Sequence, residues 1–269
     1  VVEIGPGRGF LTRELAASAS LTAVAARGAG LSTSTSQFLK IPSGIRAASL
    51  GEAFVALADD ASAVNWNPAG LAQIQRGEFQ LMFLKYFADI NYSSAAMVLP
   101  AGDIGTVGAS FIYEWVPPFN STADPAAIKG VASDLSVSLA YGKWLHPRLA
   151  VGIAGKFVSS SLVDRVSRGG GVDAGVLVPV LHNKLQAAFA IDNLLSGNSS
   201  YSGLDIKEKL PSTAKAGLLG RMRPGPNIQG DLSLEYSKPR DSASYYKAGL
   251  ELGYKRMYFL RAGYRMRAE

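Results

Sequence analysis

Cysteine is absent from the 269-residue chain, which excludes disulfides and thiolate metal sites. Histidine is almost absent. His146 and His182 both stand in turn-like contexts (LHPR and LHNK). No Ser-His-Asp set can be built from two turn histidines, and no metal-ligand spacing is present. Charged residues make up 18%, against about 25% in an ordinary soluble domain. The net charge is +6, but Lys and Arg are scattered singly. A nucleic-acid surface needs a clustered basic patch, so nucleic acid is excluded as a partner. No run reaches the roughly 18 apolar residues of a membrane-spanning helix. If this chain crosses a membrane, it does so as a closed barrel.

What is present points to β structure. Gly is high at 29, and Tyr and Phe contribute 11 each, which suits strands joined by tight turns. From Phe79 onward the hydrophobic period is two. Leu135, Val137, Leu139 and Tyr141 oppose Asp134, Ser136, Ser138 and Ala140. Leu149, Val151, Ile153 and Phe157 oppose Arg148, Gly152 and Lys156. Leu232, Leu234 and Tyr236 oppose Asp231, Ser233 and Glu235, and the alternation recurs over Tyr246–Tyr254 and Tyr258–Met266. The pattern predicts about eleven strands, starting near residues 78, 90, 104, 133, 148, 171, 184, 212, 228, 244 and 257. Most are expected to be about ten residues long, the length a tilted membrane strand needs.

Short turns at 145–147, 181–183 and 255–256 alternate with longer connections at 117–130 and 196–211. That asymmetry fits an outer-membrane barrel. Tyr113, Trp115, Tyr141, Trp144, Tyr236, Tyr254, Tyr258 and Tyr264 lie towards strand ends, as an aromatic girdle would. A soluble β-sandwich also alternates. Here, however, the second face holds Gly, Ala, Ser and scattered charges, which suits a lumen touching a plug.

The stretch Ala56–Ala72 (ALADDASAVNWNPAGLA) breaks the strand pattern. It is Ala-rich and carries adjacent carboxylates, Asp59 and Asp60. Its Asn65-Trp66-Asn67-Pro68 turn ends any helix, because the residue before Pro is pushed out of the α region. Gly70 then turns the chain towards the first strand. Residues 52–58 are expected to form a helical turn or two, and Asp59, Asp60 or Ser62 to cap the next short helix. The acids read as capping or ion-paired plug residues rather than catalytic acids, with lumen-facing Arg and Lys as partners.

The segment FLKI…G.RAASLGEAFVALADDASAVNWNPAGLA resembles the amino-terminal signature of the PorV/PorQ family of outer-membrane proteins, relatives of the FadL-type barrels. Arg46, Gly51, Ala58, Asp59, Asp60, Ala61, Asn67, Pro68, Ala69 and Gly70 stand in that family's places. At Ser49-Leu50-Gly51-Glu52 the sequence departs from a common Gly-Met-Gly-Gly. The resemblance continues in DLSVSLAYGKWLHPRLAVGIAGKF, AAFAIDNLL and YYKAGLELGYKRMYFLRAGYRM. It implies an all-β antiparallel transmembrane barrel with a short helical plug at its amino-terminal side. The plug motif comprises Arg46, Gly51, Asp59, Asp60, Asn65, Trp66, Asn67, Pro68 and Gly70.

An odd strand count does not close a bacterial barrel in the usual way, and the sequence ends without a terminal aromatic. The sequence therefore reads as missing C-terminal strands, about three if the fourteen-strand design that the resemblance implies applies. It also begins at Val1 rather than Met, which reads as a fragment or processed product.

Residues 1–36 stand apart. VVEIGPGRG followed by FLTRELAASA is a short strand, a Gly-rich turn and a helix, a geometry that points backbone N–H groups at a nucleotide or cofactor. Glu3, Gly5, Gly7 and Gly9 resemble the S-adenosylmethionine-binding motif of the rRNA adenine dimethyltransferases. The resemblance stops at Ala25-Ala26-Arg27, where that family places an acidic residue for the ribose. No Asn-Leu-Pro-Tyr-type motif follows. A remnant or fused fragment, a signal peptide with Arg8 and Arg13 before Leu15–Ala26, and a cofactor site are the three readings. Residues 31–36 are a polar linker in each.

The expected organisation is thus an N-terminal segment (1–36), a plug (37–77) and a barrel (78–269), with no enzyme activity and no cofactor. The resemblance implies two roles at the bacterial outer membrane. One is assistance to protein secretion or surface anchoring, as in type IX secretion, with secreted proteins or secretion machinery as partners. The other is a FadL-like channel for hydrophobic small molecules, with an apolar pocket beside the plug. Membrane lipid is a partner in both. A methyltransferase fragment is the reading from a different class.

Overall fold

The computed structural model describes residues 36–85, 90–119, 130–162, 165–181, 184–201, 208–255 and 257–268. Its strands are β1 (Glu78–Lys85), β2 (Asn91–Pro100), β3 (Thr106–Phe119), β4 (Gly130–His146), β5 (Leu149–Leu162), β6 (Arg165–Leu181), β7 (Leu185–Ser196), β8 (Asn198–Tyr201), β9 (Glu208–Lys209), β10 (Thr213–Gly225), β11 (Ile228–Pro239), β12 (Tyr245–Tyr254) and β13 (Tyr258–Arg267). The sheet runs β1-β2-β3-β4-β5-β6-β7-β10-β11-β12-β13, and β8 pairs with β6 and β9 off this path. Every pairing is antiparallel. The eleven strands expected from periodicity are the eleven on the main path. The sheet is not closed among the described residues: β1 pairs with β2 alone and β13 with β12 alone.

Differences from the sequence reading fall where apolar alternation fades. The sixth strand begins at Arg165, not near 171, because Ser159–Leu162 of β5 pairs in register with Arg165–Arg168. Those segments are Ser-rich and show no apolar stripe. β4 and β6 each run 17 residues, well past the roughly 10 a spanning strand needs. The connection read at 196–211 contains β8 and β9, and β3 continues to Phe119.

The wall is inside-out relative to a soluble protein. On β11, Leu232, Leu234 and Tyr236 are exposed while Asp231, Ser233, Glu235 and Ser237 are buried. On β4 and β5, Leu139 is 67% and Ile153 54% exposed, while Ser136, Ser138, Ala150 and Ala154 are buried. A sandwich would bury the apolar face. An apolar outside and a polar inside is the arrangement of a barrel wall in lipid. No described helix is long and apolar enough to cross a membrane.

Tyr113, Trp115 and Tyr236 face outward near one end of the wall, and Tyr141, Tyr254 and Tyr258 near the other. Trp144 departs from the expected girdle. It is half-buried, and its indole N–H donates to Ala72 O at 2.7 Å, inside the wall.

The described chain before β1 fills the interior. It forms a 3-10 turn at Gln37–Lys40, α1 (Ile45–Ser49), α2 (Ala63–Trp66) and a 3-10 helix at Pro68–Gln73. The main apolar core lies between this segment and the wall, with Leu50, Phe54, Leu57, Val64 and Leu71 packed on Val98, Ala140, Ala154, Ala190 and Leu219. Of the helical turns expected at 52–58 one forms, closed by the Leu57 and Ala58 N–H groups donating to Phe54 O at 3.0 and 2.9 Å, without growing into a helix; the helix comes earlier, at Ile45–Ser49. The backbone N–H groups of Phe54 and Val55 donate to Glu235 of the wall at 3.0 and 2.9 Å, so they are unavailable for helix bonds.

Candidate functional site

Asn67 is the pivot of the plug. Its Oδ1 accepts the Ala69 N–H at 3.0 Å, capping the 3-10 helix that Pro68 opens. Its Nδ2 donates to Val55 O at 2.9 Å. One short polar side chain thus ties the two ends of the Ala-rich stretch together. Gly70 is required by close approach, since a Cβ there would lie 2.0 Å from Ala58 O. Gly51 has φ +61°, and a Cβ there would meet Tyr264 N of β13 at 2.6 Å. Asn65 accepts a hydrogen bond from the Ser110 hydroxyl of β3 at 2.7 Å. Trp66 donates from its indole to Ser43 O at 2.8 Å and packs edge-on against Phe54 at 5.9 Å. The ammonium groups of Lys215 and Lys247 lie 5.4 and 5.9 Å from the Trp66 ring, close enough for a cation–π attraction.

The charged groups around the plug fall into bonded clusters. Arg46 forks onto Glu251 of β12 at 2.8 and 3.0 Å. Its remaining donor reaches Asp59 and, at 3.2 Å, Asp60. Burial alone would lower the Arg46 pKa; Asp59, Asp60 and then Glu251 outweigh it and hold the guanidinium above its ordinary value. Glu251 also accepts from Arg261 at 2.6 Å. Glu235 meets Lys247 at 3.0 Å, and Glu52 meets Lys247 at 3.4 Å and Arg265 at 2.8 Å. Lys215 bridges Asp192 of β7 at 2.7 Å and Trp66 O at 3.0 Å.

Asp59 and Asp60 are ion-paired plug residues, as expected, but their main partner is Arg46 of the plug itself. The wall contributes Arg221, 3.6 Å from Asp59. Asp60 does not cap α2 as expected: Ser62 is the N-cap without a side-chain bond to the helix, and Asp60 instead accepts the Ser62 N–H and hydroxyl at 2.9 and 2.6 Å.

Around the plug the wall presents glycines. A Cβ on Gly152 would lie 2.2 Å from the Pro68 carbonyl carbon, one on Gly175 2.0 Å from Asn67 Oδ1, and one on Gly263 1.9 Å from Gly51 N. Gly142 and Gly217 make similar approaches to Pro68 and Val55. The sequence pattern showed that the inner face is small and polar. It did not show which glycines touch the plug, because that depends on register between distant segments.

A second interior cluster differs in kind. Phe38, Met82, Tyr92, Ile112, Val158 and Leu210 are buried together, with Leu39, Ile41 and Ile45 packed against them. It places an apolar patch on the inner face of β1, β2, β3 and β5, directly under the start of the plug. An apolar recess of about 460 Å³ also opens over β10–β13, lined by Leu218, Leu234, Tyr236, Tyr246, Tyr264 and Met266. Gly217 forms part of this lining, and Val55 of the plug lies against it from the other side.

Glu3, Gly5, Gly7 and Gly9 lie outside the described residues, as does His182. His146 is exposed at the end of β4, where its Nδ1 accepts the Arg148 N–H at 3.2 Å. Among the described residues no group of three or more His, Cys, Asp or Glu side chains is arranged to hold a metal.

Comparison with known proteins bears on both family and fold. The model of an uncharacterised protein family (UPF0164) matches residues 12–176, more than half of the chain and starting beyond Gly9. A solved structure of a TodX monoaromatic hydrocarbon channel, in a deltaS2 mutant form, superposes with a TM-score of 0.54 at 12% identity, over 84% of this chain and 82% of that one. At that identity the likeness shows the barrel-channel fold alone. No curated protein matches.

Proposed function

The chain belongs to the uncharacterised protein family UPF0164, and from that premise we propose that it is a non-enzymatic outer-membrane β-barrel that passes hydrophobic small molecules through a plugged lumen. The observation that carries this reading is the apolar cluster of Phe38, Met82, Tyr92, Ile112, Val158 and Leu210 on the inner side of the wall. Phe38, Leu39, Ile41 and Ile45 at the start of the plug cover the wall side of that cluster, so an apolar solute that displaces them takes over a surface worth about 25 cal/mol per Å² buried. The resemblance of the fold to a channel for monoaromatic hydrocarbons supports the same class of solute. The apolar outer face supports a place in lipid.

Uptake of radiolabelled toluene by bacteria carrying the chain in their outer membrane tests the reading. Uptake is expected to exceed that of cells without it. It is expected to fall to their level in Ile112→Glu, which charges the apolar patch. Heat-modifiable gel migration of the variant checks that the wall still folds. Equal uptake with and without the chain overturns the reading. Capture of secreted proteins through their C-terminal signal domains, with no effect on toluene uptake, would replace it with the secretion-assisting role.

A further inference from the structure

We infer that the inner wall carries a cation site at Glu114 and Asp134, suited to a hard divalent cation of calcium's class. The two carboxyl groups stand directly opposite each other on β3 and β4. Cβ atoms of such pairs lie about 4.5–5.5 Å apart, and like charges so placed repel. Both side chains project inward, and Glu114 is buried. Arg46 of the plug and Lys156, Lys215, Lys247 and Arg261 of the wall are each bonded to other acids: Asp59, Asp60, Asp173, Asp192, Glu235 and Glu251. None of these ion pairs reaches Glu114 or Asp134. Among the described residues the other buried acids near the plug are neutralised locally.

The surrounding residues supply further oxygens. Ser160 of β5 faces Asp134 in register, and Tyr92 of β2 faces Glu114. Ser136 follows Asp134 on the same inner face, diagonal to Glu114 and Ser160 across its two neighbours Ile112 and Val158. It is 1% exposed, and its hydroxyl has no hydrogen-bond partner. A buried hydroxyl left without a partner costs free energy. Two opposed carboxylates and an unpartnered hydroxyl make a hard-oxygen set, which selects calcium-like ions over softer metals. With two acids, the expected dissociation constant is on the order of 10⁻⁴–10⁻³ M, the range of low-charge calcium sites. A bound cation would turn the repulsion between β3 and β4 into a bridge beside the apolar patch. This holds whatever solute the lumen carries.

Terbium luminescence on the full chain, folded in detergent and stripped with a chelator, tests it. Excitation of tyrosine should produce Tb³⁺ emission through Tyr92, and Ca²⁺ should quench that emission competitively in the millimolar range or below. Glu114→Gln and Asp134→Asn should each weaken Tb³⁺ binding at least tenfold. An Asp103→Asn control, in the exposed turn between β2 and β3, should leave binding unchanged. Each site variant removes one of two repelling charges and so should fold without added metal, which heat-modifiable migration verifies. The inference is overturned if no sensitised emission appears, or if emission survives undiminished in both site variants. A carboxylic-acid infrared band that persists at saturating Ca²⁺ and is abolished by Glu114→Gln would also overturn it, since the pair would then share a proton instead.

Discussion

The plug is held differently by the two halves of the wall. Towards β3–β6 the contact is neutral and backbone-close: Gly108, Gly142, Gly152 and Gly175 let Val64, Pro68 and Asn67 approach to distances no side chain would permit. Towards β10–β13 glycines recur, but charge is added. Arg46 is forked onto Glu251, Glu52 is held by Lys247 and Arg265, and Glu235 takes two plug N–H groups while pairing with Lys247. Shape complementarity makes one position fit and gives way only by displacement. Buried ion pairs add little net stability, but removing one partner strands a charge. The glycine side therefore fixes where the plug sits, and the charged side makes any other seating costly.

The largest expected effect tests the charged side. Glu235 has a fully buried side chain, bonded to Lys247, Phe54 N and Val55 N. Glu235→Ala leaves the Val55 N–H without its acceptor, the Phe54 N–H with Glu52 O alone, and the buried Lys247 ammonium with only its longer 3.4 Å contact to Glu52. It should cost about 3–5 kcal/mol, read from the denaturant midpoint of the chain in detergent. The double variant Glu235→Gln with Lys247→Met removes both charges and should recover most of that loss. If Glu235→Ala costs under about 1 kcal/mol, the charged half contributes no more than surface pairs do, and the comparison fails.

A smaller effect tests the glycine side. Gly152→Val drives a side chain into the Pro68 carbonyl, where even a Cβ would be 2.2 Å from the carbon. Overpacking of this kind costs about 1–3 kcal/mol. Protease cleavage near Pro68 should appear while the wall keeps its heat-modifiable migration. Gly155 on the same strand faces open space where a Cβ would stand, so Gly155→Ala should stay within about 0.5 kcal/mol of the parent. Equal behaviour of the two glycines would show that Gly152 is small for reasons unrelated to the plug.

Much of this wall was legible in the sequence, because its period of two is set by the solvent on each side. Leu139, Ile153 and Leu234 read as one face and stand exposed together. Where neither face needed an apolar stripe, as at Ser159–Leu162 and Arg165–Gly171, the ends of two expected strands were not legible. The plug motif was visible as an anomaly, a run of Ala and Asp ahead of the strands. The cations over Trp66 were not visible, since Lys215 and Lys247 come near it only once the chain has circled through β10–β12, and the pairing of Arg46 with Asp59 and Asp60 depends on how the plug folds back on itself. The pairing of Glu114 with Asp134 was equally hidden, because register across β3 and β4 is set by the whole hairpin rather than by either acid.

The smallest expected effect separates burial from chemistry within the charged half. Arg265 makes a 2.8 Å pair with Glu52, much like the pair that Arg46 makes with Glu251. Yet the Arg265 side chain is 39% exposed, and Glu52 keeps Lys247 as a second partner. Arg265→Ala therefore strands no buried charge. Water already solvates much of the guanidinium, and its loss should cost on the order of 0–1 kcal/mol, less as salt is added. Its stacking over the Tyr245 ring at 4.0 Å is the one contribution that salt would leave largely intact. If Arg265→Ala proves as damaging as Glu235→Ala, then exposure is the wrong criterion for ranking these ion pairs, and the outermost strand β13 is held to the plug by this pair rather than by its ladder with β12.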